Sequence, residues 1–389
     1  MNRNLVIAIL LSATLAPGLY AQARSYRSGA DQVREVHGTI PVVRPVRLRI
    51  NTRLASVHIQ GQSPAGANPP QLSYTIVLRT HAGAGALAYL QSWPITVQRS
   101  GAIVYIQTGT PDAQSVEPAQ LTVELRVPAQ VSEIVADTEV GDLYADQLAT
   151  PLVLAAQAGN IHVGSNAGSV LAFSRGGDVI VGQAQAVRAN ATGAIRVNRA
   201  DGPVYLTTSG GEVAVRRAAA ALTIVSNGGG IDIGDADGPV AAFSEGGNIS
   251  LGNAQAWARL QTVGGNIVVN SARQLEVSTR SGDIRLERLL AGVEAQTGSG
   301  RVDAVFAPGA KLSNSEIVSR QGRIAVTLPS SVGAQVWAQI RDPQGVQITG
   351  DYPQLSGDSA RAVLNGGGAQ LRLLTNMSEI TVHKPQEHL

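Results

Sequence analysis

The sequence predicts an all-β chain whose middle part is a β-solenoid, or β-helix, of about ten three-sided coils of 18 residues each. A strand-like unit, in which glycine is followed by two aliphatic residues at alternate positions, recurs at nearly constant spacing. Glycine accounts for 43 of the 389 residues and aromatic residues for only 4%. Such a chain builds its interior from small and β-branched side chains, which suits thin, closely stacked strands.

The repeat can be counted from the first glycine of each unit. These glycines are Gly141, Gly159, Gly177, Gly193, Gly211, Gly229, Gly247, Gly265, Gly282, Gly300 and Gly322. Most steps between them have the full repeat length, two are slightly shorter, and the last, from Gly300 to Gly322, is slightly longer. No step leaves room for a long loop. Each unit is too short to bury its own apolar face, so it must be stabilised by stacking on its neighbours.

The small or apolar positions within one unit predict the shape of a coil. In the Gly229 unit they are Ile231, Ile233, Ala236, Val240, Ala242 and Ser244. Two pairs spaced by two residues indicate two short strands, and the single alanine between them indicates a tighter third side. The handedness of the coil does not follow from this pattern.

Two polar columns follow the same period. An inward hydroxyl column is predicted to stabilise the scaffold and comprises Ser174, Thr208, Ser226, Ser244, Thr262, Thr279, Thr297 and Ser319. Residues directly after the corner glycines, such as Asp142, Asn160 and Asn248, are predicted to satisfy turn hydrogen bonds.

The chain divides into four predicted segments. Residues 1–23 are a signal peptide, 24–130 a β-rich N-terminal cap, 131–326 the solenoid, and 327–389 closing strands and a tail. The cap contains the strand-like runs Val46–Ile50, Ser73–Leu78, Ile103–Ile106 and Leu121–Val127, with a short helical stretch at Ala84–Leu90.

The N-terminal segment, from Met1 to Ala23, has the order of a secretory signal. Arg3 lies in a short charged region, Leu5 to Leu15 form an apolar run, and Ala21-Gln22-Ala23 is a small-x-small cleavage site. Export to the periplasm, the cell surface or the medium is therefore expected. The apolar run is shorter than the ~20 residues that cross a bilayer, so no transmembrane segment is expected after cleavage.

Composition excludes several classes of function. The absence of cysteine excludes disulfides, thiol catalysis and thiolate metal sites. The net charge of +2 is spread without a basic block, so nucleic acid is not an expected partner. No motif indicates a cofactor.

The order of these features resembles one bacterial family. An export signal, a lead-in that ends in the run from Leu121 to Pro128, and stacked Gly-Asp/Asn-Ile-x-Val units are similar to the putative adhesin family of envelope proteins. The tail, from Gly366 to Thr375 and from Ser378 to Val382, is similar to the closing segment of that family. The resemblance implies a β-solenoid and a role in binding, and it supplies no catalytic residues.

The candidate ligand surface consists of exposed side chains on the central coils. Asp232, Asp235 and Asp237 lie on the Gly229 coil, Arg216 and Arg217 lie on the preceding one, and Trp257 is the best candidate for an exposed aromatic residue. The acidic residues could approach a cation or one another. Coils of such uniform length, however, leave no room for a catalytic groove, so neither a metal site nor catalysis is predicted.

The leading hypothesis is a non-enzymatic envelope protein, an adhesin or binding scaffold, that presents a repetitive surface to a glycan, a cell surface or another envelope protein. A periplasmic structural or signalling partner without its own ligand is the second hypothesis. A polysaccharide-active β-helix enzyme is the third.

Overall fold

A computed structural model describes residues 20–62, 69–111 and 119–385. It is an all-β protein, as predicted, and the described residues contain one short helix, α1 at Ala86–Gln91. No helix in these ranges is long and apolar enough to cross a membrane. The predicted signal peptide lies outside the described residues up to position 19, and residues 20–23 begin the first strand. The chain forms two compact units, Met1–Gly193 and Ala194–Leu389.

The first unit contains twelve described strands. They are β1 (Tyr20–Ser28), β2 (Asp31–Pro41), β3 (Val46–Gly61), β4 (Gln71–His81), β5 (Ile95–Ser100), β6 (Ile103–Thr108), β7 (Gln120–Val127), β8 (Val131–Val140), β9 (Leu143–Asp146), β10 (Leu152–Ala158), β11 (Ile161–Ser174) and β12 (Val179–Ala191). The four strand-like runs predicted in the cap lie within β3, β4, β6 and β7. The predicted helical stretch overlaps α1.

The N-terminal part of this unit is antiparallel. Strand β1 pairs with β2, β2 with β4, and β4 with β7, while β5 pairs with β6. In β4 the residues alternate between buried and partly exposed along most of the strand, which is typical of a sheet with one face on the core.

Strand β3 joins the antiparallel part to the parallel part. The half from Arg47 to Thr52 pairs in parallel with β6 and β8, and the half from Ala55 to Gly61 pairs with β7 and β9. Because β3 and β11 each take part in two ladders, the strands β3, β8, β10, β11 and β9 close into a ring of parallel pairs.

The second unit contains eighteen described strands. They are β13 (Ile195–Ala200), β14 (Val204–Thr208), β15 (Val213–Ala218), β16 (Leu222–Ser226), β17 (Ile231–Ala236), β18 (Val240–Ser244), β19 (Ile249–Thr262), β20 (Ile267–Thr279), β21 (Ile284–Leu289), β22 (Val293–Thr297), β23 (Val302–Phe306), β24 (Ser315–Ser319), β25 (Ile324–Thr327), β26 (Ala334–Ile340), β27 (Ile348–Gly350), β28 (Ser359–Leu364), β29 (Ala369–Thr375) and β30 (Ile380–His383).

Two parallel ladders run through this unit with a register that equals the sequence period. In the first ladder each strand pairs with the equivalent strand of the next repeat, so Ile231 lies opposite Ile249, and Ile249 opposite Ile267. The same buried column comprises Ile195, Val213, Ile231, Ile249, Ile267, Ile284, Val302, Ile324, Ile380 and Ile348. Every member is β-branched, and such side chains pack well against their neighbours on a pleated sheet.

The hydroxyl column and the corner residues join successive layers. All eight hydroxyl residues are buried, as predicted. Thr262 Oγ1 donates to the carbonyl of Gly247 at 2.9 Å and accepts from the N–H of Gly265 at 3.2 Å. At the corner, the N–H of Asn266 donates to Asn248 Oδ1 at 2.8 Å. The corner Asp and Asn side chains accept backbone hydrogen bonds, but from the next layer and not within their own turn as predicted.

The C-terminal strands close the ladders out of chain order. After β24 and β25, the next strands in the ladders are β29 and β30, the last two of the described strands. Strands β26 and β27 pair on the far side of β29 and β30, and β28 pairs antiparallel with β26. The sequence predicted closing strands here but not their order.

Candidate functional site

The structure brings three of the predicted surface residues together on β15, β17 and the turn after β17. Arg217 and Asp235 are Cα partners. Arg217 Nη2 lies 3.2 Å from Asp237 Oδ2, and Asn253 Nδ2 donates to Asp235 Oδ1 at 2.8 Å. These groups are exposed and already paired with one another, and exposed ion pairs contribute little to stability or to a preformed site.

The other predicted residues lie apart from that cluster. Asp232 is exposed and stands opposite Ala214 and Ser250, and Arg216 is exposed beside Arg217. Trp257 is 38% exposed, at the point in β19 where the register shifts, and lines a different cavity. No group of three or more His, Asp or Glu side chains in the described ranges is arranged to hold a metal ion.

The cavity beside Trp257 contains a feature that the sequence did not reveal. It has a volume of about 410 Å³, and its lining includes four of the five members of a row of outward side chains on neighbouring parallel strands. This charged row consists of Arg259, Glu276, Glu294, Glu316 and Arg372, on β19, β20, β22, β24 and β29, and each is the Cα partner of the next.

The two arginines neutralise only the ends of the charged row. Arg259 Nε lies 3.1 Å from Glu276 Oε1, and Arg372 Nη1 lies 3.1 Å from Glu316 Oε1. Glu294, in the middle, accepts a hydrogen bond from Gln296 Nε2 at 3.2 Å. Among the described residues it has no cation within ion-pairing distance, so it is the uncompensated charge of the row.

An aromatic and cationic cluster follows the charged row at its Arg372 end. Trp337 on β26 is the Cα partner of Arg372 on one side and of Arg361 on the other. The two guanidinium carbons lie 4.5 Å and 5.1 Å from the ring centroid, within the range of cation–π attraction. A second cavity of about 410 Å³ lies here, and both cavities are lined by Gln370 and Arg372.

Periodicity could have revealed part of this row. Glu276 and Glu294 each directly follow the first inward residue of a strand, and they occupy the same position in successive repeats. Arg372, in contrast, lies several repeat lengths beyond Glu316 in the sequence, and no repeat predicts that they are neighbours.

The first unit has its own groove, of about 590 Å³. Its floor includes Asn51, Asp137, Ala155 and Phe173, which are successive Cα partners, and Phe173 is 40% exposed. Burial raises the pKa of Asp137 above its usual value, and the positive charge of Arg49 partly offsets this. The groove combines an apolar wall with two acidic groups, Asp137 and Glu139, and with Arg175.

We expect Asp137→Asn to stabilise the protein at neutral pH. Because the folded pKa of Asp137 is raised, its ionisation above that pKa lowers the stability of the wild type, and the amide removes this effect. The stability gain over wild type should therefore shrink as the pH falls through the folded and then the unfolded pKa. Urea unfolding of the wild type and the variant between pH 3 and pH 8 measures this stability gain. A gain that is constant across this range would contradict the raised pKa of Asp137.

A stack of three rings lies on the outward face of β3, β9 and β11 in the first unit. The rings of His58 and Tyr144 are 4.5 Å apart, and those of Tyr144 and His162 are 5.0 Å apart, nearly parallel in both cases. Tyr144 Oη donates to Asp142 Oδ2 at 3.1 Å, and burial together with this contact raises the pKa of Tyr144. The two faces of the Tyr144 ring are covered by its neighbours, so Tyr144 braces the strands and offers no open face to a sugar.

Comparisons with known proteins leave the family open. No family model matches the sequence, and no curated protein matches it. A solved structure of a putative cell adhesion protein from Clostridium sporogenes is 9% identical, covers 91% of this chain and 100% of its own, and has a TM-score of 0.22. A putative adhesin from Bacteroides fragilis is 15% identical over 75% of this chain and 95% of its own, with a TM-score of 0.18.

A third solved structure, a putative lipid binding protein from Parabacteroides distasonis, is 9% identical over 92% of this chain and 98% of its own, with a TM-score of 0.23. Identities and TM-scores this low support no argument about fold or function.

Proposed function

We propose that this chain is an exported, non-enzymatic binding protein of the bacterial envelope, of the adhesin type, which holds its ligand on the outward faces of stacked three-sided coils. The observation that carries the proposal is the charged row, because it places an uncompensated carboxylate between two ion pairs and beside partly exposed tryptophans. Folding does not require such an arrangement on an outward face.

The register supports the three-sided coil within the second unit. Each repeat contributes one strand to each ladder, and buried Ala236 and Ala254 are Cα partners between the two strand positions. A small residue at the third side allows a sharp bend and close stacking. Outward side chains then repeat at the strand spacing of about 4.8 Å, which presents evenly spaced polar groups to an extended ligand.

The chemistry of the row supports binding over catalysis. Glu276 and Glu316 are each paired with an arginine, Arg259 and Arg372 respectively. A glycosidase requires one carboxylic acid that keeps its proton, and no glutamate of this row has the buried, apolar surroundings that would supply it.

We expect Glu294→Arg to weaken ligand binding by at least about tenfold, because it reverses the one uncompensated charge in the row. The same change removes repulsion from Glu276 and Glu316, so the melting temperature should not fall. Glu245→Arg is the matched control, since Glu245 is exposed in the same unit and outside the row. A glycan array and a pull-down from envelope extracts with both variants provide the measurement.

Three outcomes of that experiment oppose the proposal. Equal binding by both variants would place the ligand elsewhere on the protein. The absence of any partner for the wild type would favour a periplasmic structural protein without its own ligand. Sugar products released from a polysaccharide panel, and lost in Glu294→Arg, would favour an enzyme.

Location can be tested independently of the ligand. Protease treatment of intact cells should remove the protein if it is displayed at the surface, while a periplasmic marker stays intact. Complete protection would contradict an adhesin and leave the fold unaffected.

A further inference from the structure

The pocket around Trp337 has the chemistry of a site for a single negative charge. We define the Trp337 pocket by Gln335, Trp337, Arg361, Val363, Gln370 and Arg372, all outward residues of β26, β28 and β29. Arg372 is paired with Glu316, whereas Arg361 has no carboxylate within 4.0 Å among the described residues. Arg361 is thus the one guanidinium of the pocket available to an anion.

The cation–π contact with Trp337 restrains the position of that guanidinium. The guanidinium carbon of Arg361 lies 5.1 Å from the centroid of the Trp337 ring, and that of Arg372 lies 4.5 Å from the same centroid. A guanidinium carries its N–H groups in one plane, and two of them can donate parallel hydrogen bonds to a carboxylate. The pocket is therefore preorganised for a planar anion.

The remaining lining groups favour a sugar as the carrier of that carboxylate. Gln335 and Gln370 are exposed Cα partners whose amides both donate and accept hydrogen bonds, which suits hydroxyl groups. Val363, the partner of Gln335 on the other side, is 67% exposed and offers an apolar contact for the C–H face of a sugar ring.

The charged row limits how many acidic units the ligand carries. The Trp337 pocket continues into the cavity of the row, because both are lined by Gln370 and Arg372. Beyond Arg372 a bound chain meets Glu316, Glu294 and Glu276, which repel further carboxylates and accept hydrogen bonds from neutral hydroxyls.

We propose that the Trp337 pocket binds the carboxylate of one terminal uronic-acid residue of a saccharide, whose neutral sugars lie along the charged row. This rests on the proposed binding function and assigns its ligand class and the ligand's direction. Arg361 is the primary recognition residue and Trp337 positions it.

The test titrates the full chain with three oligosaccharides by calorimetry. The first has two neutral hexoses and a terminal glucuronic acid, the second is its methyl ester, and the third is trigalacturonic acid. Wild type should bind the first roughly 10- to 100-fold more tightly than the ester, because the ester loses a charge-assisted bidentate contact. Trigalacturonic acid should bind more weakly than the first.

Variants test whether the preference for the acid over the methyl ester arises in the Trp337 pocket. Arg361→Ala should bind the acid and the ester equally, Arg361→Lys should retain part of the preference, and Trp337→Phe should weaken it. Arg273→Ala, an exposed arginine on β20 without an ion-pair partner among the described residues, should behave as wild type. A melting temperature within a few degrees of wild type for Arg361→Ala, which is exposed, keeps the comparison one of binding.

Each opposing result has a distinct meaning. Equal affinity of wild type for acid and ester would overturn the pocket proposal while leaving glycan binding intact. Tightest binding of trigalacturonic acid, or full competition by millimolar inorganic phosphate, would overturn it in favour of a general anion site. Failure of all three saccharides, with a protein partner captured that Glu294→Arg loses, would overturn the ligand class and retain the proposed function.

Discussion

Gly229→Ala should destabilise the second unit by about 4 kcal/mol or more. A Cβ at Gly229 would lie 2.0 Å from the carbonyl oxygen of Gly211 and 2.5 Å from its carbonyl carbon, both backbone atoms of the adjoining layer. These atoms belong to the hydrogen-bonded stack and cannot move aside without separating two layers. The glycine is required here by the close approach of backbones.

The neighbouring glycine provides the control. A Cβ at Gly228 would have no heavy atom within 4 Å, so Gly228→Ala should change the stability by no more than about 0.5 kcal/mol. Urea unfolding followed by circular dichroism measures both variants and the wild type. If Gly229→Ala proved as stable as Gly228→Ala, the layers would not stack at this corner as described.

Thr297→Val should cost about 3 kcal/mol although it preserves the size and shape of the side chain. Thr297 is 3% exposed, and its Oγ1 donates to the carbonyl of Gly282 at 2.8 Å and accepts from the N–H of Gly300 at 3.1 Å. Valine leaves both backbone groups buried without this partner, at about 1–3 kcal/mol each.

A serine variant distinguishes the contribution of the Thr297 hydroxyl to stability from that of its methyl group. Thr297→Ser retains both hydrogen bonds and should cost only about 1 kcal/mol for the lost methyl. Ser244 and Thr262 occupy the same column in the same role, which shows that the scaffold accepts either residue. Thermal and urea unfolding of both variants measure the difference, and equal losses would mean that the hydroxyl does not matter.

The repetitive parts of this fold were predictable from sequence because their causes are local and recur. Alternation of Ile231 and Ile233 defines an inward face, and the constant step from one unit to the next implies that the following layer repeats it. Buried hydroxyls and corner amides follow by the same logic, since each occupies one fixed position in every period. The structure confirms both columns.

The best candidate site was not predictable because it forms where the period is broken. Trp337 and Arg361 lie on β26 and β28, and Arg372 lies on β29, beyond the last regular unit. Their contacts depend on β29 inserting between β24 and β26, which no spacing in the sequence encodes. The residues chosen from sequence, such as Asp235 and Asp237, were conspicuous as a local acidic cluster, and the structure places them in exposed contacts with Arg217 and Asn253.

The out-of-order closure determines when the chain can complete its fold. Strand β29 pairs with β24 on one side and with β26 on the other, so neither neighbour gains this partner until Ala369–Thr375 has been synthesised. During synthesis β24 therefore keeps one unpaired edge while β26, β27 and β28 are being made.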